Sequence, residues 1–235
     1  MKIIACCRAY NEEIRIEKFC KAFQFADLIL VADGGSTDNT VAIAKNMPKT
    51  LVRNFPLLVE VGGGIMRNPD GPHLQFLYDW ALEEGADWTI CQDCDQRPNI
   101  YLKNDARDIF AKMGNKDFLM VTQIYLYGKD HYFPNLSSGW QTGLWAWRSN
   151  INLKVIDKMP HFEFSFDGVK SFDVPKLNRH KDLQPPYCFM HFGWETEEMI
   201  EKHIKYYKET KLIPAMLHPK TFGGEPQPIL DWMIE

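Results

Sequence analysis

The 235-residue sequence is short of several features that would settle its class at once. No apolar run reaches the roughly 18 to 20 residues that a membrane-spanning helix needs, so no transmembrane segment is expected. The first residues, Met1 to Arg8, turn charged and polar too soon for a secretory signal and read as a first strand. Positive charge is not in excess: 27 Lys and Arg stand against 31 Asp and Glu, and the basic residues are dispersed. That leaves no electrostatic footprint for nucleic acid or an anionic lipid surface. A disulfide framework is missing too, since Cys6 and Cys7 are adjacent, Cys20 and Cys188 stand alone, and Cys91 and Cys94 form one C-x-x-C. A chain of this length buries roughly 70% of its unfolded surface and needs no such staples. The expectation is a reduced, cytoplasmic protein, at most peripheral to a membrane.

What the sequence does have is aromatic side chains, 13% of the total with seven Trp, and an alternation of short apolar strands with amphipathic helices. Ile3 to Cys7, Leu28 to Ala32, Thr50 to Arg53 and Trp88 to Gln92 read as strands. Between them, Ile16, Phe19, Cys20 and Phe23 share one helical face, as do Leu74, Leu77, Tyr78, Ala81 and Leu82. A shorter helix through Val41 and Ala44 would be capped by Ser36 or Thr37. Strands separated by helices imply right-handed crossovers and an α/β, Rossmann-like, mostly parallel sheet flanked by helices. Further on, Phe118 to Tyr127, Leu144 to Arg148 and Tyr187 to His191 read as strands and Glu195 to about Tyr207 as a helix. Lys154 to Pro186 carries no assignable pattern, and His180 to Asp182 reads as a solvated charged run. With neither repeat nor linker, residues 1–235 are expected to form one domain, 1–125 its ligand-binding part and 126–235 a less regular part.

Three strand ends carry the chemistry. After the fourth strand stand Asp93 and Asp95, two residues apart, a spacing that on an extended chain points both carboxylates to one side. They repel unless a cation lies between them, and a hard divalent ion sharing its shell with a diphosphate fits. Ligands of open parallel sheets bind beyond the carboxyl ends of the strands, where this pair falls. The second end is Asp33-Gly34-Gly35-Ser36-Thr37-Asp38, which is neither a Walker A loop nor a G-x-G-x-x-G and is otherwise a capped turn. The third is Arg8-Ala9-Tyr10-Asn11-Glu12-Glu13. A solvated loop is the plain alternative for the two aspartates. Core packing is the plain alternative for Cys91 and Cys94, which alternation sends to opposite faces, and for Trp145 and Trp147, which alternation puts on one face. Those two and Trp140 are the candidates for stacking on a sugar ring.

Arg8 to Glu12, Val31 to Thr40 and Gln92 to Gln96, in that order and spacing, resemble the inverting glycosyltransferases of family 2, which have the GT-A fold. The resemblance covers about the first 125 residues. It implies a sugar transferred from a nucleotide-diphosphate sugar, a UDP-sugar foremost, to a hydroxyl of a glycan, lipid or protein acceptor, with Mn2+ or Mg2+ as cofactor. It places Tyr10 beside the base, Asp33 on the base, and Asp93 and Asp95 on ribose and the metal-bound diphosphate, with Arg8, Ala9, Glu12 and Cys94 also lining the nucleotide-sugar site. His191, in His191-Phe192-Gly193-Trp194, resembles the C-terminal histidine motif of small bacterial members, where imidazole completes the metal shell with Asp93 and Asp95. Two departures stand out. The Arg-Asn that many members carry on the helix before the fourth strand is replaced by His73 to Tyr78, leaving Arg67 or His73 as the substitute cation. Gly34 stands where a second Asp is frequent. Inversion needs a base for the acceptor hydroxyl, and the candidates are Glu163 and Asp167; the resemblance favours Glu163, because small relatives often carry a His-Glu pair between the last two strands and His161 lies two residues before it. The rivals are a sugar nucleotidyltransferase, for which the basic Gly-rich loop is missing, and a non-catalytic binding module on the same fold.

Overall fold

The structure, a computed structural model, describes residues 1–55, 57–60, 66–128, 130–133, 142–158, 161–170, 180–193, 196–210, 225–231 and 233. The first half runs β1 (Ile3–Ala9), α1 (Ile16–Ala22), β2 (Leu28–Asp33), α2 (Thr40–Lys45), β3 (Thr50–Asn54), β4 (Val59–Glu60) and β5 (Met66–Arg67). Then come α3 (Asp70–Glu83), β6 (Trp88–Asp93), β7 (Gln96–Pro98), α4 (Ile100–Ala111), β8 (Phe118–Tyr127) and β9 (His131–Tyr132). The remainder is β10 (Thr142–Arg148), β11 (Leu153–Lys158), β12 (His161–Phe166), β13 (Val169–Lys170), β14 (His180–His191), α5 (Glu197–Thr210) and β15 (Gln227–Pro228).

Strands β3, β2, β1 and β6 lie side by side and parallel, with Cys7 opposite Val31 on one flank and Gln92 on the other. Strand β1 is apolar at nearly every position because helices cover both faces of the sheet. Phe19 and Phe23 of the α1 region pack on one face, and Leu77, Trp80 and Ala81 of α3 on the other. Beyond β6 the sheet turns antiparallel through β10, and β14 then joins β8 in parallel. The fold is α/β with a mostly parallel sheet in its first half, as expected. Among the described residues no helix is long and apolar enough to cross a membrane.

Several expectations need correction. Helix α2 begins at Thr40, and Asp38, not Ser36 or Thr37, holds its start by accepting from the Thr40 amide at 2.9 Å. Helix α4 was not expected, although Asn99 caps it by accepting from the Leu102 amide at 3.0 Å. The stretch without a pattern contains the antiparallel meander β11–β12–β13, whose Phe164 and Phe166 pack on Trp147. His180 to Asp182 belong to β14 and pair with Phe118 to Met120. A bulge between Leu144 and Ala146 breaks the alternation of β10. Trp145 therefore packs with Phe110 on one face while Trp147 meets the meander on the other, and both are fully buried. Neither offers a ring to an acceptor sugar. Trp140 lies outside the described residues.

Candidate active site

The carboxyl ends of β1, β2 and β6 meet on one edge of the sheet, and their loops are tied together. Asn11, held at φ +55°, donates its amide to Ser36 Oγ at 2.9 Å and accepts from the Thr37 amide at 2.8 Å. Ala9 is buried and its carbonyl accepts from the Gly34 amide at 2.8 Å. Asp33 is also buried and accepts from the amides of Gly35 and Ser36, so its carboxylate holds its own turn. Tyr10 stands half exposed at the mouth. Gly34 is explained by a neighbour: a Cβ there would come within 1.8 Å of Asn68 Oδ1, so the side chain of Asn68 fills the space that another residue would need.

Strand β6 ends at Asp93, and Cys94 and Asp95 form the turn into β7. The turn, not strand alternation, therefore aims Asp95, and the two carboxylates have different partners. Asp93 Oδ1 accepts from Arg8 Nε at 3.0 Å and Nη2 at 2.6 Å, while Arg8 Nη1 reaches Asp70 Oδ1 at 2.7 Å. Burial alone would push the Arg8 guanidinium down, but Asp93 and Asp70 outweigh it and raise its pKa above the ordinary value. The cation on Asp93 is thus an arginine on β1, which bridges it to an aspartate at the start of α3 and not to Asp95. Asp70 was not anticipated, because no local pattern links residues this far apart in the chain.

Asp95 turns toward the end of β14. Its Oδ2 lies 3.7 Å from His191 Nε2, its Oδ1 is buried with no hydrogen-bond partner among the described residues, and its carbonyl accepts from the Phe192 amide at 2.7 Å. His191 Nδ1 accepts from the Gly193 amide at 3.3 Å. A Cβ on Gly193 would fall 2.4 Å from His191 Cε1 and 3.1 Å from Asp95 Oδ2, so only glycine lets the imidazole and carboxylate approach. Glu12 completes the corner. Burial pushes its carboxyl up to about 7 against the pull of Arg15, with Asp95 and Asp93 adding to the rise. Among the described residues no three metal-binding side chains already converge. The donor set nevertheless fits a divalent ion: an orphaned carboxylate oxygen, an imidazole, and carboxylates whose mutual repulsion an ion would relieve.

The other candidates fall as follows. His73 is buried, Nε2 lies 2.9 Å from the Ala32 carbonyl, and the ring stacks on Phe55 at 4.3 Å. Burial and then Arg8 push its pKa down to about 4, so it is neutral and cannot replace a diphosphate-binding cation. Arg67 sits in β5 opposite Val59, and its side chain is outside the described residues. Glu163 is in β12 opposite Ile156, its side chain also outside them, but its neighbour Phe164 lines a small cavity with Arg8 and Asp93. Asp167 is exposed in the β12–β13 turn, bonded to Asn152. That turn lies toward Ser149, whose amide donates to the Asp87 carbonyl at the opposite end of β6. The structure therefore does not bring Asp167 to the strand ends. Cys91 and Cys94 face opposite ways as expected. Cys94 packs on Cys7 with sulfurs 3.1 Å apart, Cys91 interacts with Cys6, and all four are free thiols.

A mostly parallel sheet flanked by helices and continued by antiparallel β10 is the architecture of the GT-A fold. The chain is similar to S. aureus TarS 1–349, with a TM-score of 0.54 at 14% identity, over 93% of this chain and 67% of that one. A longer S. aureus TarS structure matches 63% of this chain at 17% identity and a TM-score of 0.44, and there the chain spans only 28% of its counterpart. Glucosyl-3-phosphoglycerate synthase from Mycobacterium tuberculosis, in complex with Mn2+, UDP and glucosyl-3-phosphoglycerate, matches 63% of this chain and 57% of its own at 19% identity, with a TM-score of 0.42. No protein-family model and no curated relative matches the sequence.

Proposed function

We propose that the chain is a metal-dependent, inverting glycosyltransferase that moves a sugar from a nucleotide-diphosphate sugar, a UDP-sugar foremost, to a hydroxyl of a glycan, lipid or protein. The observation that carries this reading is the corner formed by Asp95, His191 and Glu12 beside the Asp70–Arg8–Asp93 bridge, at the carboxyl edge of a GT-A sheet. Asp95 and His191 would hold Mn2+ or Mg2+, with Glu12 and Asp93 alongside. The ion, when bound, offsets negative charge on the departing diphosphate. Arg8, held between Asp70 and Asp93, stands beside the same place and fixes the Asp93 carboxylate there. Tyr10 offers its exposed ring to the base. In the transfer, the bond from the anomeric carbon to the diphosphate oxygen breaks as the acceptor oxygen attacks from the opposite face. The acceptor proton passes to a carboxylate, for which Glu163 is the candidate.

Thermal unfolding with UDP, GDP, CDP or dTDP, each with and without Mn2+, tests the reading. A ligand at 100 times its Kd stabilises by about 2.7 kcal/mol, so a genuine donor site is readily visible. One nucleotide should raise the Tm only when Mn2+ is present, and Asp95→Asn should remove that rise and abolish transfer while remaining folded. Full activity in Asp95→Asn, or no shift with any nucleotide, refutes the proposal.

A further inference from the structure

Strand β10 leaves β6 after the pair Ala146 with Ile90, because the bulge around Trp145 turns its earlier residues, Thr142 to Leu144, onto β8 alone. Strand β6 runs on regardless through Cys91 and Gln92 to Asp93. Beside the end of β6, next to Arg8 and Asp93, lies a cavity of about 210 Å3, the volume of about seven liquid waters at roughly 30 Å3 each. That suits one monosaccharide, not an oligosaccharide.

The lining has a definite chemistry. Three glutamines from three different strands line the cavity, Gln92 from β6, Gln96 from β7 and Gln123 from β8, while Leu144, Phe164 and Phe189 supply apolar wall. An amide both donates and accepts, as does a sugar hydroxyl, so each can pair with a hydroxylated ring in either sense. Gln92 is 7% exposed, and among the described residues its buried Oε1 has no hydrogen-bond partner. Such a buried acceptor is unfavourable until something donates to it. The charges point the other way for an anionic ring. Arg8 is the cation of the lining, and both ends of its guanidinium are already held by Asp70 and Asp93, with Asp93 itself on the wall.

We infer that this cavity receives the sugar ring of the donor, and that Gln92, Gln96 and Gln123 select an uncharged hydroxylated ring over a uronate. The inference rests on the nucleotide-sugar reading above and adds to it the class of sugar and the residues that choose it. Calorimetric titration of the protein with Mn2+ and with UDP, UDP-glucose and UDP-glucuronate, repeated with the GDP and dTDP counterparts, tests it. The glucose form should bind wild-type protein at least tenfold more tightly than the glucuronate form. Gln123→Leu should weaken the glucose form about tenfold while leaving the bare nucleotide within twofold. The near-isosteric Gln123→Glu, which adds a second carboxylate to the wall, should widen the preference against glucuronate and serves if the leucine variant does not fold. Equal affinity for the two sugar forms in wild type, or sugar-form binding unchanged in both variants, overturns the inference while the nucleotide reading stands. So does an equal loss for the bare nucleotide in both variants, which would mark Gln123 as structural. Failure of every bare nucleotide to bind wild type overturns both.

Discussion

Glu12 offers the sharpest test of the electrostatics at the strand ends. Its carboxyl is pushed from an ordinary 4.5 up to about 7, first by burial and then by the charges of Asp95 and Asp93, with Arg15 opposing. A group whose folded pKa is raised contributes stability that is fully present below its unfolded pKa and is lost as pH climbs to the folded one. For Glu12 that window is pH 4.5 to about 7. At 1.36 kcal/mol per pH unit the loss across it is ~3 kcal/mol. Glutamine keeps the shape and an oxygen for Arg15, which lies 3.2 Å from the carboxylate, but cannot ionise. In chelator-treated protein, Glu12→Gln should match wild type near pH 4.5 and exceed it by ~3 kcal/mol near pH 8. For a domain of this size that is a rise in Tm on the order of 10 °C. Urea unfolding at a series of pH values measures both curves. If the variant retains the wild-type slope between pH 4.5 and 7, the slope comes from elsewhere and the reading of this corner is wrong.

Two further substitutions probe neighbouring contacts. Arg8→Met leaves Asp70 and Asp93 facing each other without their shared cation. Breaking a buried pair destabilises by about 3–5 kcal/mol, but the side chain of Asp93 is 43% exposed and partly screened by water, so ~2 kcal/mol is expected in urea unfolding. A loss below 0.5 kcal/mol on that order-of-magnitude scale would show that the bridge contributes nothing. Gly34→Ala drives a methyl into Asn68 Oδ1, whose side chain is anchored by bonds to the carbonyls of Phe55 at 3.3 Å and Leu57 at 2.8 Å. Overpacking of this kind destabilises by about 1–3 kcal/mol, and adding Asn68→Gly should restore most of it. If the single variant is neutral, Asn68 does not set the identity of residue 34.

The half of the molecule that was legible in the sequence is the half buried on both faces. Strands β1, β2 and β6 read as apolar runs because helices cover them above and below, and the polar residues that interrupt those runs mark the strand ends where the site lies. Helix α4 was legible too, since Leu102, Ala106, Ile109 and Phe110 are its buried residues and recur at helical spacing behind the cap Asn99; the signal was present and unread. The meander β11–β13 was not, because its strands are short and pack on α3 and Trp147 through contacts that no local window contains. Trp145 and Trp147 mislead for a different reason: one bulge in β10 puts on opposite faces two residues that alternation places on one. The clamp on Arg8 and the neutral, stacked His73 follow from tertiary packing. Asp95 and His191 were recognised as partners only through the resemblance, since nothing local predicts that β14 returns to the turn after β6.

That return has a consequence for biosynthesis. The aspartate of the corner is made early and the histidine late, and His191 reaches Asp95 only through the last residues of β14, which pair with Gln96 to Pro98 of β7 on one side and with β8 on the other. While the ribosome is still translating the second half, the carboxylate edge of the sheet stays a half-built socket, without the imidazole toward which Asp95 turns. A polypeptide released before residue 191 would keep the doubly covered strands β1, β2 and β6 yet have no imidazole to close the corner. Premature termination would therefore leave the strand ends of β1, β2 and β6 in place and the Asp95 corner open.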